Sequence, residues 1–402
     1  MNLHQDLLIF GGGIAGLWLL DRARQAGYSA LLFERDALGA GQSIASQGMI
    51  HGGLKYALGG ALTTASEAIA DMPAHWRACL AGEGDVDLRG TRLLSEAYYL
   101  WPRQSLRSRL TAFLGSKTVR GKVQEVAADE WPAFFHGPQG TLYRLHDIVL
   151  DVPSLLATLA ARQRECIHRL DPAACRFDSA NPNTLILPDG ARISAQRFIF
   201  TAGAGNETLI TQLSLSQTLS LPQTLPLPQT APSLMQRRPL QMVVVKHHYS
   251  EPLYVHCVSD QFSATPELTV TTHPCRDGRT AWYLGGELAE TGARRSASEQ
   301  THAARALLTA RFPWCEWQNA EFSSVYIDRA EARQRDGKRP DHASLLDIGP
   351  ALCCWPTKLT LAPNLATRVL DHLRHTGITP RHVQAPRLPL PNVNIATPPW
   401  EL

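Results

Sequence analysis

The sequence predicts an α/β protein of two domains, one built on a parallel sheet and the other an α+β unit built on an antiparallel sheet. Three observations carry that expectation. Residues 6–35 read as strand, glycine-rich turn, helix and second strand. Between 241 and 284, four strand runs follow one another with turn residues between them. A chain of 402 residues is also long enough to bury two substantial cores.

The opening unit starts with Asp6-Leu7-Leu8-Ile9-Phe10, an apolar run of the length of a buried parallel strand. Gly11, Gly13 and Gly16 then satisfy G-x-G-x-x-G, with Ile14 and Ala15 at the start of the helix. One glycine permits the tight turn, one lets a pyrophosphate approach the backbone, and one lets the helix pack on the strand. The free N–H groups of the helix N-terminus face the phosphates. Leu17, Leu20, Ala23 and Ala26 recur at helical spacing, and Gly27 stands where a helix ends. The second strand closes on Glu34-Arg35, at about the ~20-residue distance where a carboxylate accepts hydrogen bonds from ribose hydroxyls. This order of parts is that of a Rossmann-like dinucleotide-binding unit.

Composition narrows the function classes. Hydrophobic residues make up 44% and charged residues 19%, as in ordinary globular proteins. A net charge of +3 is too small to argue for nucleic acid or an anionic membrane surface. The opening strand begins too early to leave room for a signal peptide, and 17–20 is too short to span a bilayer. Eight cysteines (79, 166, 175, 257, 275, 315, 353 and 354) form no C-x-x-C pair and no zinc spacing. Adjacent Cys353 and Cys354 read as buried small apolar residues. A reducing, cytoplasmic setting is expected, with peripheral membrane association left open.

Downstream of Glu34, residues 39–56 are dense in glycine and serine and suggest a second loop along the same ligand. Leu62, Ser66, Ile69, Met72, Trp76 and Leu80 mark an amphipathic helix bent at Pro73. Residues 91–101 read as a strand or two, 107–114 as a short helix and 153–164 as a helix. Residues 185–193 form a hairpin around Pro188-Asp189-Gly190. A buried strand at 198–201 ends in Ala202-Gly203-Ala204-Gly205-Asn206, where a sheet could again open toward the ligand. Residues 213–230 repeat a Leu- and Gln-Thr-containing hexad three times, read as a low-complexity loop insertion or a docking strip for a partner.

Runs at 241–245, 253–258, 268–273 and 281–284 form the antiparallel sheet. Ser296 and Glu299 have capping-box spacing ahead of a helix. Residues 322–327 are a further strand and 336–338 a turn. Thr360 is expected to cap a last helix with Leu365, Val369, Leu370 and Leu373 on one face. The tail from Pro380 is proline-rich and expected to run over the surface.

These residues resemble the D-amino-acid oxidase-like family of FAD-dependent oxidoreductases, which includes glycine oxidase, glycerol-3-phosphate dehydrogenase and L-2-hydroxyglutarate oxidase. Four blocks carry the resemblance. Residues 11–35 match its FAD-type opening. Residues 43–56 are similar to its Ser-rich stretch and His-Gly-Gly-Leu-Arg-Tyr motif, with Lys55 in place of the arginine. Thr201-Ala202-Gly203-Ala204 matches its second cofactor-contacting turn. Residues 329–340 and 357–363 resemble its C-terminal block, in which an arginine strand precedes a turn and a flavin-facing helix N-terminus. The chain has Ile327-Asp328-Arg329-Ala330-Glu331 where the family commonly has Gly-Leu-Arg-Pro.

The resemblance implies a glutathione-reductase-like FAD domain and non-covalent FAD. Its contacts would come from Gly11, Gly13, Ile14, Ala15, Gly16, Glu34 and Arg35, then from Gln42, Ser43, Ser46, Gln47, Gly48 and Met49. Ala202, Gly203, Thr357, Lys358, Leu359 and Thr360 would complete the set. The FAD domain is expected to comprise residues 1–90, 145–235 and 325–402. The substrate domain would take 91–144 and 236–324.

Flavin dehydrogenation needs a base for the proton next to the broken C–H bond, and positive charge near the reduced ring. His51 is the candidate base, or a histidine that only positions the flavin. Lys358, beside a helix N-terminus, could supply the charge or be a surface lysine. Arg329 could grip a carboxylate or phosphate at two points, or pair with Glu331 or a nearby acid. Lys55, Tyr56, Tyr254, His273 and Tyr283 are weaker candidates for the substrate pocket.

The favoured reading is oxidation of a small anionic 2-hydroxy acid, amino acid or polyol phosphate by hydride transfer to the flavin. Electrons would pass on to oxygen, a quinone or a protein carrier. The competing readings are a flavoprotein acting on a modified tRNA base, which the near-neutral charge disfavours, and a flavin-binding subunit of a larger complex. Self-association into a homo-oligomer is also compatible with the sequence.

Overall fold

A computed structural model of the chain describes residues 2–53, 69–103, 123–135, 140–218, 234–259, 265–381 and 388–402. Lys55, Tyr56, the expected helix at 107–114, the first turns of the Leu62 helix and the hexads beyond 218 lie outside the described residues.

The first sheet is parallel at its centre. Asn2–Phe10 lies between Ala30–Glu34 and Arg192–Phe200, parallel to both. Ile167–Arg169 extends the sheet beside Ala30–Glu34, and Ala351–Trp355 extends it beside Arg192–Phe200. The helices Ile14–Gln25 and Ala362–His375 pack on each other and share one apolar core with these strands. Leu7, Leu8, Ile9, Leu31, Leu32 and Ile199 are all fully buried. Thr184–Ile186 adds the expected hairpin, turning at Gly190 (φ 82°).

The second sheet runs in the order Glu321–Ala332, Met235–His247, Thr280–Gly285, Leu268–Pro274, Val255–Val258, Tyr98–Pro102, Tyr143–Leu145, Val123–Glu125. It is antiparallel except where Val255–Val258 meets Tyr98–Pro102. Alternation sorts its side chains. Val243, Val245, Val270, Trp282 and Leu284 face the helix Ala297–Arg311 through Ala304 and Leu308. Met242, Val244, Tyr283 and Ile327 face the opposite way and meet Ala45 from the loop after the dinucleotide unit. The helix opens with the expected capping box, Ser296 and Glu299 each bonding the other's backbone N–H, an arrangement worth about 1 kcal/mol. A small third sheet joins Met49–Ile50, Ile148–Leu150 and Leu93–Ser95.

Several expectations need correction. The boundary at 325 cuts through a strand that pairs with Met235–His247 along its whole length, so all of Glu321–Ala332 belongs to the second sheet. Pro73 does not bend a helix. It occupies the first turn of Met72–Ala81, where its missing N–H costs nothing. The first hexad, 213–218, is helical and ends Asn206–Thr218, because its prolines begin only later. Cys353 and Cys354 are buried, as read, but within a strand of the parallel sheet. Burial pushes the Cys353 thiol up to about 12.

The tail is docked rather than loose. Leu38 exchanges backbone hydrogen bonds with Asn394 and Ala396, and Pro391 accepts one from Arg169. Trp400, 2% exposed, stacks on His273 at 3.7 Å and meets Tyr283 edge-on. The tail thereby ties the first sheet to the second.

His273 has a consequence for acid stability. Burial first, and the Arg92 charge second, push its imidazole down to about 3, and burial with the His248 charge pushes His247 down to about 4. The unfolded chain holds these protons near the ordinary histidine value of about 6.5. Their contribution to stability is therefore complete above that value and is lost as pH falls toward 3–4. We expect the urea midpoint to drop between pH 7 and pH 5, and to drop less in His273→Gln. An equal slope in that variant would remove His273 as a source.

Candidate active site

The glycine turn is closed by protein on two sides and open on a third. Gly11 has φ 105°, and a Cβ there would stand 2.5 Å from the Ala202 Cα. At Gly16 a Cβ would reach the Gly11 carbonyl oxygen at 2.0 Å. These two glycines let the strand, the helix and the 201–203 turn touch. Gly13 differs. Within 4 Å, a Cβ there would meet only the Ser43 hydroxyl, at 3.0 Å. That hydroxyl accepts the Ile14 N–H, while Ala15 and Gly16 continue the helix.

Glu34 ends its strand half-buried. It accepts the Gly12 N–H at 2.7 Å through one oxygen and the Asp36 N–H at 3.0 Å through the other. Arg35 turns to solvent and pairs with Asp36. Gln42 lies against Gly203, whose Cβ position is 3.2 Å from the Gln42 Oε1. Ser46 carries a buried hydroxyl with no partner among the described residues. The open face of Gly13, the carboxylate at the strand end and this orphaned hydroxyl fit a bound dinucleotide.

The loop then crosses to the second sheet. Gln47 donates to the Tyr283 carbonyl at 2.8 Å, and the Tyr283 hydroxyl donates to the Ala45 carbonyl at 3.0 Å. Gly48, at φ 71°, presses on Leu150, whose carbonyl oxygen would lie 2.0 Å from a Cβ. Met49 begins the short strand that leads to His51, which is 6% exposed.

Thr360 does not cap the last helix. It sits in the 3-10 turn Leu359–Leu361, and Pro363 in the first turn of Ala362–His375 leaves less for a cap to satisfy. Its hydroxyl instead accepts the His51 N–H and donates to the Met49 carbonyl, both at 3.4 Å. Thr357 just before it has φ 62°, the positive value found at a non-glycine among the described residues. Such backbone costs of order 1–3 kcal/mol and clusters at functional sites. Lys358 and Leu359 follow, both half-buried.

Arg329 has other neighbours. Its Nε donates to the Arg238 carbonyl at 3.0 Å, and a terminal nitrogen lies 3.4 Å from Glu290. Arg238 is its direct cross-strand partner and reaches Glu331 at 3.3 Å and Glu290 at 3.7 Å. Burial, then the Arg238 charge, lower the Arg329 proton affinity. The acid beside Arg329 is thus Glu290, while Glu331 pairs with Arg238. Tyr254 is buried with its hydroxyl donating to the Thr272 carbonyl, and burial raises its pKa, keeping the phenol protonated.

Some site residues were not singled out from the sequence. Asn206 is fully buried, accepts the Ala202 N–H at 2.8 Å and donates to the Cys354 carbonyl, fixing the 201–203 turn. Its signal was present as a lone amide after a strand and glycines. Trp76 donates its indole N–H to the Thr360 carbonyl at 3.1 Å, and Asp147 accepts the Gly52 N–H at 2.9 Å. Neither has a local motif, since each contact joins distant segments.

The strand, glycine turn, helix and acidic strand end together have the form of a dinucleotide-binding site. The family described as DAO, FAD dependent oxidoreductase, matches residues 6–356, and the chain belongs to it. It is an FAD-dependent oxidoreductase. A probable FAD-dependent oxidoreductase of Pseudomonas aeruginosa, PA4991, is 46% identical over 407 residues, covering 100% of this chain and 98% of the relative. Its crystal structure superposes with a TM-score of 0.79 at 41% identity, over 100% of this chain and 98% of that one. Glycine oxidase from Geobacillus kaustophilus shares the fold at 16% identity and a TM-score of 0.63, over 93% and 95% of the two chains. L-α-glycerophosphate oxidase from Mycoplasma pneumoniae, with FAD bound, does so at 14% and 0.64, over 92% and 95%. No helix among the described residues is long and apolar enough to cross a membrane.

Proposed function

We propose that this oxidoreductase acts on a small anionic 2-hydroxy acid, amino acid or polyol phosphate. The meeting of His51 with the Thr360 turn carries the reading. Two segments some three hundred positions apart converge there, next to the strained Thr357 backbone. Bound FAD, held non-covalently, would supply the hydride acceptor at its N5.

The chain's own residues do the rest. The Gly13 face and helix N-terminus take the pyrophosphate, and Glu34 takes the ribose by exchanging its backbone partners for hydroxyls. His51 is placed to hold the proton of the substrate hydroxyl or amine. Lys358 and the turn it opens put positive charge against the ring edge that gains electron density. Buried Trp76, Ile50 and Leu361 exclude water from behind this turn. Segments 1–90, 145–234 and 333–402 make up the cofactor unit in this reading, and the second sheet presents the substrate.

Arg329 is the anion contact, with Arg238 beside it and Glu290 holding the place a substrate carboxylate would take. Anaerobic mixing with a panel of 2-hydroxy acids, amino acids and polyol phosphates should bleach the flavin for one class. Bleaching only by uncharged alcohols or amines would remove the anionic assignment. With the responding compound, Arg329→Lys should raise KM about tenfold or more and change kcat less, because a lysine cannot hold two oxygens at once.

A further inference from the structure

We propose that His75, Cys79 and Asp85 form a binding site for a zinc-like divalent cation. His75 and Cys79 stand one turn apart on the helix Met72–Ala81, and Asp85 follows in the loop that folds back beneath it. The imidazole Nε2, the thiol sulfur and a carboxylate oxygen all lie within 4.8 Å of one another. Nε2 is 2.8 Å and the sulfur 3.3 Å from the same oxygen, Oδ1.

The donor set and spacing suit zinc. Bonds of about 2.0 Å to nitrogen and oxygen and 2.3 Å to sulfur put tetrahedral ligand atoms about 3.3–3.6 Å apart. The sulfur–oxygen pair is already there, and the nitrogen–oxygen pair needs to open by only about half an ångström. Binding would displace the thiol proton and the proton shared by His75 and Asp85 to solvent, leaving a thiolate, a neutral imidazole and a carboxylate on the metal. Arg22, 3.1 Å from the other carboxylate oxygen, would remain as the partner that orients Asp85. A fourth position is reachable by water past His75, whose side chain is 33% exposed.

Surrounding packing preserves the arrangement. Gly84 lies so close over Cys79 that a Cβ would be 2.4 Å from the sulfur. Leu88 donates its N–H to the Cys79 carbonyl and anchors the returning loop. The same helix carries Trp76, which packs against Trp18 at 4.7 Å with the rings tilted by 54° and donates to the Thr360 carbonyl. A metal here would stiffen the helix that supports the Thr360 turn, without touching the cofactor or the substrate.

The test uses untagged, FAD-containing protein stripped with a chelator and titrated with zinc sulfate against a chromophoric zinc indicator. Metal retained after gel filtration is then measured by mass spectrometry. Wild type and Cys175→Ser, a control for adventitious thiol binding, should each retain one zinc per chain. His75→Ala and Cys79→Ser should lose at least a hundredfold in affinity. Zinc should raise the melting temperature of wild type and not that of His75→Ala, whose circular dichroism should match wild type because the site of change is partly exposed. Wild-type protein that retains no zinc overturns the proposal, as does His75→Ala holding zinc as tightly as wild type.

Discussion

Gly13→Val should purify as a folded protein that has lost its flavin. The three glycines of the turn have different neighbours, which makes this substitution selective. A side chain at Gly11 or Gly16 collides with backbone, at 2.5 Å from the Ala202 Cα and 2.0 Å from the Gly11 carbonyl oxygen. Those collisions would separate the helix from its strand and damage the fold itself. Gly13 has an ordinary extended backbone, φ −75°, and the Ser43 hydroxyl as its near neighbour. Valine there presses on the Ser43 hydroxyl alone, a side chain that has to shift only slightly, and occupies the space over the helix N-terminus that a pyrophosphate needs. We expect FAD affinity to fall at least about a hundredfold, equivalent to about 2.7 kcal/mol. The ratio of flavin to protein absorbance, quenching titrations with FAD and a melting curve would measure it. A yellow Gly13→Val with wild-type affinity would show that the phosphates lie elsewhere.

The same glycines explain why the dinucleotide unit was legible in the sequence. Its constraints are local, and backbone approaches of 2–3 Å admit only glycine at fixed spacing. The capping box at Ser296 and Glu299 was legible for the same reason, since both partners lie within one helical turn. Long-range constraints left weaker marks. Ala351–Trp355 is a buried strand only because it lies between Arg192–Phe200 and Ser344–Ile348, and its paired cysteines carry no strand signal of their own. Thr360 looked like a cap because threonine before a helix usually is one. Its hydroxyl was instead taken up by Met49 and His51, more than three hundred positions away. The prolines pointed to a tail running over the surface, yet Leu38 supplies its backbone partners and the second sheet supplies the slot for Trp400. Arg329 was legible as a residue, but its neighbours Arg238 and Glu290 follow from strand register and helix placement.

His51→Ala should slow flavin reduction by about 10²–10⁴-fold while leaving FAD in place. The expectation rests on how the backbone around His51 is held. Met49 pairs with Val149 and Ile50 with Ile148. The His51 N–H points to the Thr360 hydroxyl, and the Gly52 N–H to the buried Asp147 carboxylate. These are backbone contacts that alanine retains, so the short strand and its bond to the Thr360 turn should survive the substitution. What alanine removes is the group able to take a proton near working pH. Stopped-flow reduction by the compound that bleaches wild type fastest would give the rate. Its pH profile should lose one ionisation in the variant. Reduction at the wild-type rate would make His51 a positioning residue, and loss of FAD would make it structural. Lys358→Met offers a contrast with a different signature: slower reduction with the ionisation retained, and a lower flavin potential, because the charge beside the reduced ring is gone while the base remains.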